Sequence, residues 1–310
     1  MDTGRTTLTP DLFEPAAAES GESERIAAPR KSFLRDAWER MKRNRVATIS
    51  LFGIALIFAM TFVIGPLLAQ YGVYEQNISD RYQGPSAAHW FGTDELGRDM
   101  WARVWEGAKV SLFIALIATA ADIGIGVVYG VISGLAGSRV DDIMQRIIEI
   151  LIGIPNLIVV VLAVAILGAS VLTIAIALVI TGWVTMARLT RAQVLKLKEQ
   201  EFFLASRSLG AGRLRLVLRH LIPNTLGPIV ITLMFTIPNA IFFEAILSYI
   251  GLGIQIPEAS LGSLINSGSD GLRFYPYLLW FPAAILSFIL LTFNLSADGL
   301  RDAFDPRMKQ

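Results

Sequence analysis

The chain contains no cysteine and only two histidines, His89 and His220, in 310 residues. Without thiols there can be no disulfide, thiolate metal site, iron–sulfur cluster or cysteine nucleophile. Two histidines leave little for an imidazole-based metal site. Charge is also scarce: Asp, Glu, Lys and Arg make up 17% of the residues, against about 25% in a soluble domain. A phosphate-cradling G-x-x-x-x-G-K-[ST] loop is missing too. The one Gly-x-Lys, at 107–109, lacks the upstream glycine, so nucleotide hydrolysis by that route is excluded. No carboxylate pair, triad or metal cluster has plausible spacing, and neither a catalytic nor a metal-ligating residue is expected.

What is present is apolar. Hydrophobic residues form 54% of the chain, and the mean hydropathy is +0.55. An ordinary soluble enzyme and a disordered or fibrous chain are both excluded; the composition is that of an integral membrane protein. Six stretches approach the length of about 20 mostly apolar residues that a span requires: 47–68, 110–135, 147–167, 171–186, 226–247 and 278–295. The first begins too late for a cleaved signal peptide and is expected to remain as an anchor. The third and fourth are separated by Gly168, Ala169 and Ser170 alone, which demands a tight helical hairpin. Residues 1–29 are polar and small and read as a disordered tail.

Orientation follows from the basic residues. Segment 30–45 holds seven Lys and Arg, and 187–225 holds eight. Placing both termini in the cytoplasm puts 22 of the 27 basic residues inside. The basic block beside the first span reads as a topology signal, with an amphipathic surface helix over 33–45 as the alternative. It has no base-stacking pattern, so no nucleic-acid partner is expected.

The stretch 187–225 is long for a connection between two helices. Within it, EFFLASRSLGAGRLRLVLRHLIPN (201–224) reads as helix, break, helix. Gly210 and Gly212 supply the break. Leu214, Val217, Leu218 and Leu221 form one apolar face, and Pro223 is expected to end the second helix. On residue chemistry alone a re-entrant or interfacial stabilising loop is the expected reading; insertion of the short, small-residue helix into a partner's groove is the alternative.

This segment resembles the EAA loop of permease subunits in ATP-binding-cassette importers, in which Glu-Ala-Ala is followed after three residues by Gly and after nine more by Ile-x-Leu-Pro. Leu204, Ala205, Ser206, Gly210, His220, Ile222 and Pro223 occupy those positions; Ala205, Gly210 and Pro223 match, while Leu204 and Ser206 depart. Arg207, Leu209, Gly210, Ala211 and the run from Arg219 to Asn224 resemble the peptide-permease branch. HWFGTDELGRDMWARV (89–104), FFEAILSYIGLGIQIPEASLGS (242–263), NLSADGLRDAFDPR (294–307) and RDAWERMKRNRVA (35–47) resemble the C-type subunit of oligopeptide and dipeptide permeases. Leu261 stands where Trp is expected, and Ala297 where Gly is expected.

The resemblance implies an all-α membrane protein with six transmembrane helices and the type I importer permease fold. It would have an N-terminal unit at 30–105 with the first helix and an external loop, and a five-helix core at 106–310 carrying the coupling loop 187–225. It implies two cytoplasmic ATPase subunits that bind ATP and Mg and receive this loop. It also implies a second homologous permease chain, an extracytoplasmic substrate-binding protein, a peptide substrate and surrounding membrane lipid. The implied mechanism is alternating access: ATP binding closes the ATPases, and a compact unit framed by Gly210 and Pro223 pushes the adjoining spans. Nickel chelates or other solutes are alternative cargo. A secondary transporter is a rival, but it would show an internal repeat and midplane charges, of which Asp122 alone qualifies. A structural scaffold would not need the patterned loop.

Individual polar residues carry their own expectations. A carboxylate at membrane depth needs a partner or a cavity. For Asp122 the expected role is a hydrogen bond to a neighbouring helix, with pathway lining as the alternative. Glu244 is expected to brace the 251–253 turn rather than to meet the binding protein. Glu149 is expected to stay wet. His220 is expected to pack the loop onto the fifth span, and Pro155 and Pro238 are expected to kink their helices.

Overall fold

The computed structural model describes residues 39, 41–42, 44–255 and 257–304. The tail expected at 1–29 and most of the basic segment 30–45 lie outside them. Among the described residues the chain is helical, with one isolated bridge between Thr93 and Asp99. Five helices are long and apolar enough to cross a membrane: α1 (Arg45–Leu67), α2 (Met100–Leu135), α5 (Val171–Leu197), α7 (Arg213–Tyr249) and α9 (Tyr277–Phe304). Between them lie α3 (Ser138–Gly153), α4 (Asn156–Leu167), α6 (Glu201–Ser208) and α8 (Leu261–Asp270).

The expected third span is a bent pair. α3 and α4 meet at 76°, because Pro155 cannot continue a helix from Gly153 and Ile154 takes an extended backbone. α3 is amphipathic and charged, and Glu149 on it is exposed and paired with Arg146 at 2.8 Å. Pro238 acts differently: it lies inside α7, which stays helical on both sides. The expected hairpin after α4 is formed, with Gly168 at φ +81° and Ser170 capping α5 by accepting from the Thr173 amide at 3.1 Å. Several helices exceed their apolar runs. α2 begins at Met100 rather than 110, and α5 continues past 186 to Leu197, because hydropathy marks the membrane-soluble part of a helix and not its hydrogen-bonded ends.

The densest contact is the α2–α5 seam. Gly126, Gly130 and Gly134 lie one turn apart on one face of α2. A Cβ on Gly130 would sit 2.5 Å from the Ala187 carbonyl oxygen and 2.6 Å from Thr190 Cβ; one on Gly126 would be 2.7 Å from Met186 Cβ, and one on Gly134 2.6 Å from Val194 Cγ1. Small residues at four-residue spacing let helix backbones approach where lipid offers no hydrophobic drive. At the Leu135 end the seam is locked by charge. Arg191 donates through Nε and Nη2 to both Asp141 oxygens at 2.7 and 2.5 Å, Ser133 donates to Asp141 at 2.5 Å, and Lys198 donates to the Gly134 carbonyl at 3.2 Å.

A second seam joins α1 to α9, where Gly53 faces Thr292 and Gly299 faces Ala47; Ser296 donates to Ser50 at 3.0 Å. Ala297 and Leu261, the two departures from the family pattern, are both fully buried. Residues 69–99 fold over the Met100 end of the bundle. Asp99 caps α2 by accepting from the Ala102 amide at 2.9 Å and contacts His89 Nδ1 at 2.9 Å. Trp101 donates to the Gly65 carbonyl at 3.0 Å and Tyr277 to that of Thr93 at 3.1 Å, so α1, α2 and α9 are tied at this end.

The seam yields a test. Gly130→Ala should destabilise the chain by about 1–3 kcal/mol, because the new methyl meets backbone that cannot move aside. Gly124→Ala on the same helix meets open space and should be neutral or mildly stabilising. Thermal unfolding of the two purified variants in detergent separates them; equal melting would remove the seam from its central role.

Candidate translocation site and coupling segment

α6 ends in a glycine-capped turn. The Gly210 amide donates to the Arg207 carbonyl at 3.0 Å and the Ala211 amide to that of Ser206 at 3.1 Å, a Schellman pair with Gly210 at φ +85°. Gly212 then caps α7. A side chain at 210 would have free space around it, so the glycine answers a backbone requirement and not a steric one.

The turn sits on a small core. Phe203, Leu216 and Leu221 bury themselves against Val131 of α2 and Val194 of α5. The expected apolar face at 214, 217, 218 and 221 is therefore split: Leu221 is buried and Val217 half-buried, but Leu214 and Leu218 point outward at 70% and 58% exposure. Leu216, not singled out from the sequence, does the packing. Leu204, Ala205, Arg207 and Leu209 are exposed, whereas Ser206 and Ala211 are half-buried. His220 Nε2 lies 3.2 Å from Ser206 Oγ, and the His220 carbonyl accepts from Asn224 Nδ2 at 2.6 Å.

Pro223 does not end the helix. α7 runs through it from Arg213 to Tyr249, because residues Val217–Leu221 widen into a π-helical turn in which the Ile222 amide reaches the Val217 carbonyl. The wider turn accommodates the proline ring that would strike a regular α-helical carbonyl. The helix that leaves the glycine-capped turn and the membrane span are thus one continuous rod.

That rod forms one wall of a cavity of about 200 Å³ that opens at the side of the bundle, where Thr185 and Asn239 are exposed. Asp122 of α2, Asn156 at the start of α4, Gly182 and Thr185 of α5, and Thr236 and Asn239 of α7 line it. Asp122 is 5% exposed. Its Oδ1 has no hydrogen-bond partner among the described residues, so the expected bond to a neighbouring helix is absent and the side chain faces the cavity instead. Gly182 makes the room, since a Cβ there would lie 2.7 Å from Asp122 Oδ1. Asn156 accepts from Thr181 at 2.5 Å; it reaches the cavity because the break at Pro155 turns the start of α4 inward. Asn156, Thr185, Thr236 and Asn239 went unnoticed in the sequence, where each is an isolated polar residue in or beside an apolar run.

Glu244 is the opposite case. It is fully buried and accepts hydroxyls from Ser111 at 2.7 Å and Ser248 at 2.6 Å. Ser260 donates to Ser248 at 3.1 Å, which links α2, α7 and the start of α8. The adjoining turn has a second Schellman pair, with Gly251 at φ +83°. Among the described residues no cluster of His, Asp and Glu could hold a metal ion.

A membrane-spanning helical bundle with polar side chains gathered in a pocket and an exposed, glycine-capped turn at one end is an architecture suited to a transport permease. The family model "binding-protein-dependent transport system inner membrane component" matches residues 126–310, and "N-terminal TM domain of oligopeptide transport permease C" matches 32–85. The chain belongs to the family of binding-protein-dependent transport system inner membrane components, and so to the cytoplasmic membrane. It is 44% identical to the oligopeptide transport system permease protein OppC of Bacillus subtilis (strain 168) over 97% of this chain and 98% of the relative. It is 45% identical to the dipeptide transport system permease protein DppC of the same organism, over 93% and 90%, and 37% identical to OppC of Escherichia coli (strain K12), over 92% and 95%. Two structures of the inward-facing MetNI methionine ABC transporter share the type I importer fold at 19% identity. Their TM-scores are 0.52 and 0.53, covering 66% and 65% of this chain and 97% and 94% of theirs.

The two buried carboxylates should respond in opposite ways. Glu244→Ala orphans two buried hydroxyls and should cost about 1–3 kcal/mol. Asp122→Asn breaks no bond of the described structure and should leave the melting temperature unchanged or raised while altering transport. Melting and vesicle uptake measured on both variants check this; a large stability loss from Asp122→Asn would make that residue structural.

Proposed function

We propose that this chain is the C-type permease subunit of an ATP-driven importer of oligopeptides or dipeptides, with Leu204, Ala205, Leu209 and the Gly210 turn docking into ATPase subunits. The observation that carries this reading is the continuity of α7. The helix is 37 residues long, roughly 55 Å at the usual rise, and runs from the exposed turn to Thr236 and Asn239 on the cavity wall. A displacement of the turn therefore moves the wall as a rigid body. The spread of basic residues favours both termini, and the coupling turn, in the cytoplasm.

Partners follow from what the chain lacks and what it leaves open. Two ATPase subunits supply ATP binding, Mg and hydrolysis. Thr185 and Asn239 stand exposed beside the cavity on otherwise apolar helices, where lipid would leave them unsatisfied; a second homologous permease chain facing them would close the pathway. An extracytoplasmic binding protein would deliver peptide to the opposite end. The names of the relatives support peptide cargo, and nickel chelates are the alternative.

Gly210→Glu tests the coupling role. The chain should insert normally, lose peptide uptake and bind its ATPase partners weakly. Gly210→Asn should retain more uptake, because asparagine tolerates the left-handed backbone that costs other residues about 1–2 kcal/mol. Undiminished uptake by Gly210→Glu would overturn the assignment.

A further inference from the structure

A second cavity is larger than the one around Asp122. It lies at the Met100 end, enclosed by the 69–99 segment, α8 and the turn before α9, and measures about 340 Å³. Nineteen residues of α2 separate Arg103 from Asp122, or roughly 29 Å along the helix, so the two cavities are distinct sites.

The charged lining is sorted by depth. Arg98 and Arg103 are 4% and 3% exposed. Glu95 and Asp270 line the same cavity but are exposed at its rim. One buried carboxylate, Asp94, serves both arginines. Its Oδ2 accepts from Arg98 Nε at 2.6 Å, and Arg103 Nε lies 3.5 Å away. The longer contact is an ion pair without hydrogen-bond geometry, and Arg103 Nε and Nη1 have no hydrogen-bond partner among the described residues. A desolvated guanidinium with unmade hydrogen bonds is costly, and its planar fork fits a carboxylate. The apolar wall is equally organised: Tyr82 and Tyr275 stack at 4.1 Å with planes 1° apart, and Phe274 stands 75% exposed at the mouth.

We propose that this cavity binds a free zwitterion of about dipeptide size, with its α-carboxylate on Arg103 and its α-ammonium between Glu95 and Asp270. Cation at depth and carboxylates at the rim are the complement of such a molecule, and a simple anion would gain nothing from the rim. The volume falls at the small end of ligand pockets, about 300–1,000 Å³. The inference stands on this cavity alone: it is read by binding to the isolated chain without ATP, so it can fail while the coupling reading survives, and the reverse.

The test is isothermal titration of the purified full-length chain in detergent with Ala-Ala, Ala-Ala amide, N-acetyl-Ala-Ala and acetate. Ala-Ala should bind, and each capped peptide should bind about tenfold more weakly, the equivalent of one lost charged contact. Arg103→Gln should erase the difference between acid and amide, and Glu95→Gln should weaken the discrimination against the acetylated peptide. Should Arg103→Gln fail to fold, Ser267→Trp at the exposed rim fills the mouth without touching the arginine and should abolish binding. Acetate binding as tightly as Ala-Ala, equal binding of acid and amide, binding that survives Ser267→Trp, or no heat at millimolar Ala-Ala would each overturn the proposal.

Discussion

The glycine seam between α2 and α5 is the constraint on which the other features rest. In lipid, two helices gain nothing from hiding apolar surface, so they associate where their backbones can come close enough for dispersion and carbonyl contacts to accumulate. Gly126, Gly130 and Gly134 allow that approach against Met186, Ala187, Thr190 and Val194. Once α2 and α5 are fixed, Val131 and Val194 form the platform for Phe203, Leu216 and Leu221, and the glycine-capped turn at Gly210 acquires a defined position. At midheight the same pair presents Asp122 opposite Gly182, and the polar cavity opens between them.

Two buried carboxylates show the fold treating the same chemical group in two ways. Glu244 is surrounded by serine hydroxyls from its own helix and from α2, and this satisfies a polar group that would otherwise be expelled from the bundle. Asp122 has been given space in place of partners. An unsatisfied polar group at membrane depth is retained where water or a passing solute can reach it, and its neighbours Asn156, Thr185 and Asn239 extend that polar strip along the cavity. A satisfied carboxylate's bracing contacts and an open, polar stretch thus fall on different parts of α2, one near its start and one near its middle.

Much of this was readable along the chain. The spans, the hairpin at Gly168–Ser170 and the glycine break at 210–212 each depend on local chemistry: apolar length, a capping hydroxyl, a left-handed residue. Local chemistry misled where two neighbours compete. Pro223 read as a helix end, yet a π-turn at Val217–Leu221 absorbs its ring. Pro155 read as a kink, yet with Gly153 before it the helix divides. The face of 213–221 was misassigned because the π-turn adds a residue to the repeat, so that Leu216 turns inward while Leu214 and Leu218 turn out.

Local chemistry along the chain suffices to make this a helical membrane protein with a patterned loop between two spans, since hydropathy, glycine and proline act over a few residues and need no tertiary partner. What the polar residues do depends on packing between distant helices. Asp122 and Glu244 are both acids in apolar helices; Glu244 meets hydroxyls, one of them from Ser111, 133 positions away, whereas Asp122 meets a cavity, because a glycine lies across the seam from it. The same holds for Arg98 and Arg103, whose shared carboxylate, and the unmade hydrogen bonds of Arg103, exist only once the 69–99 segment folds over the end of the bundle.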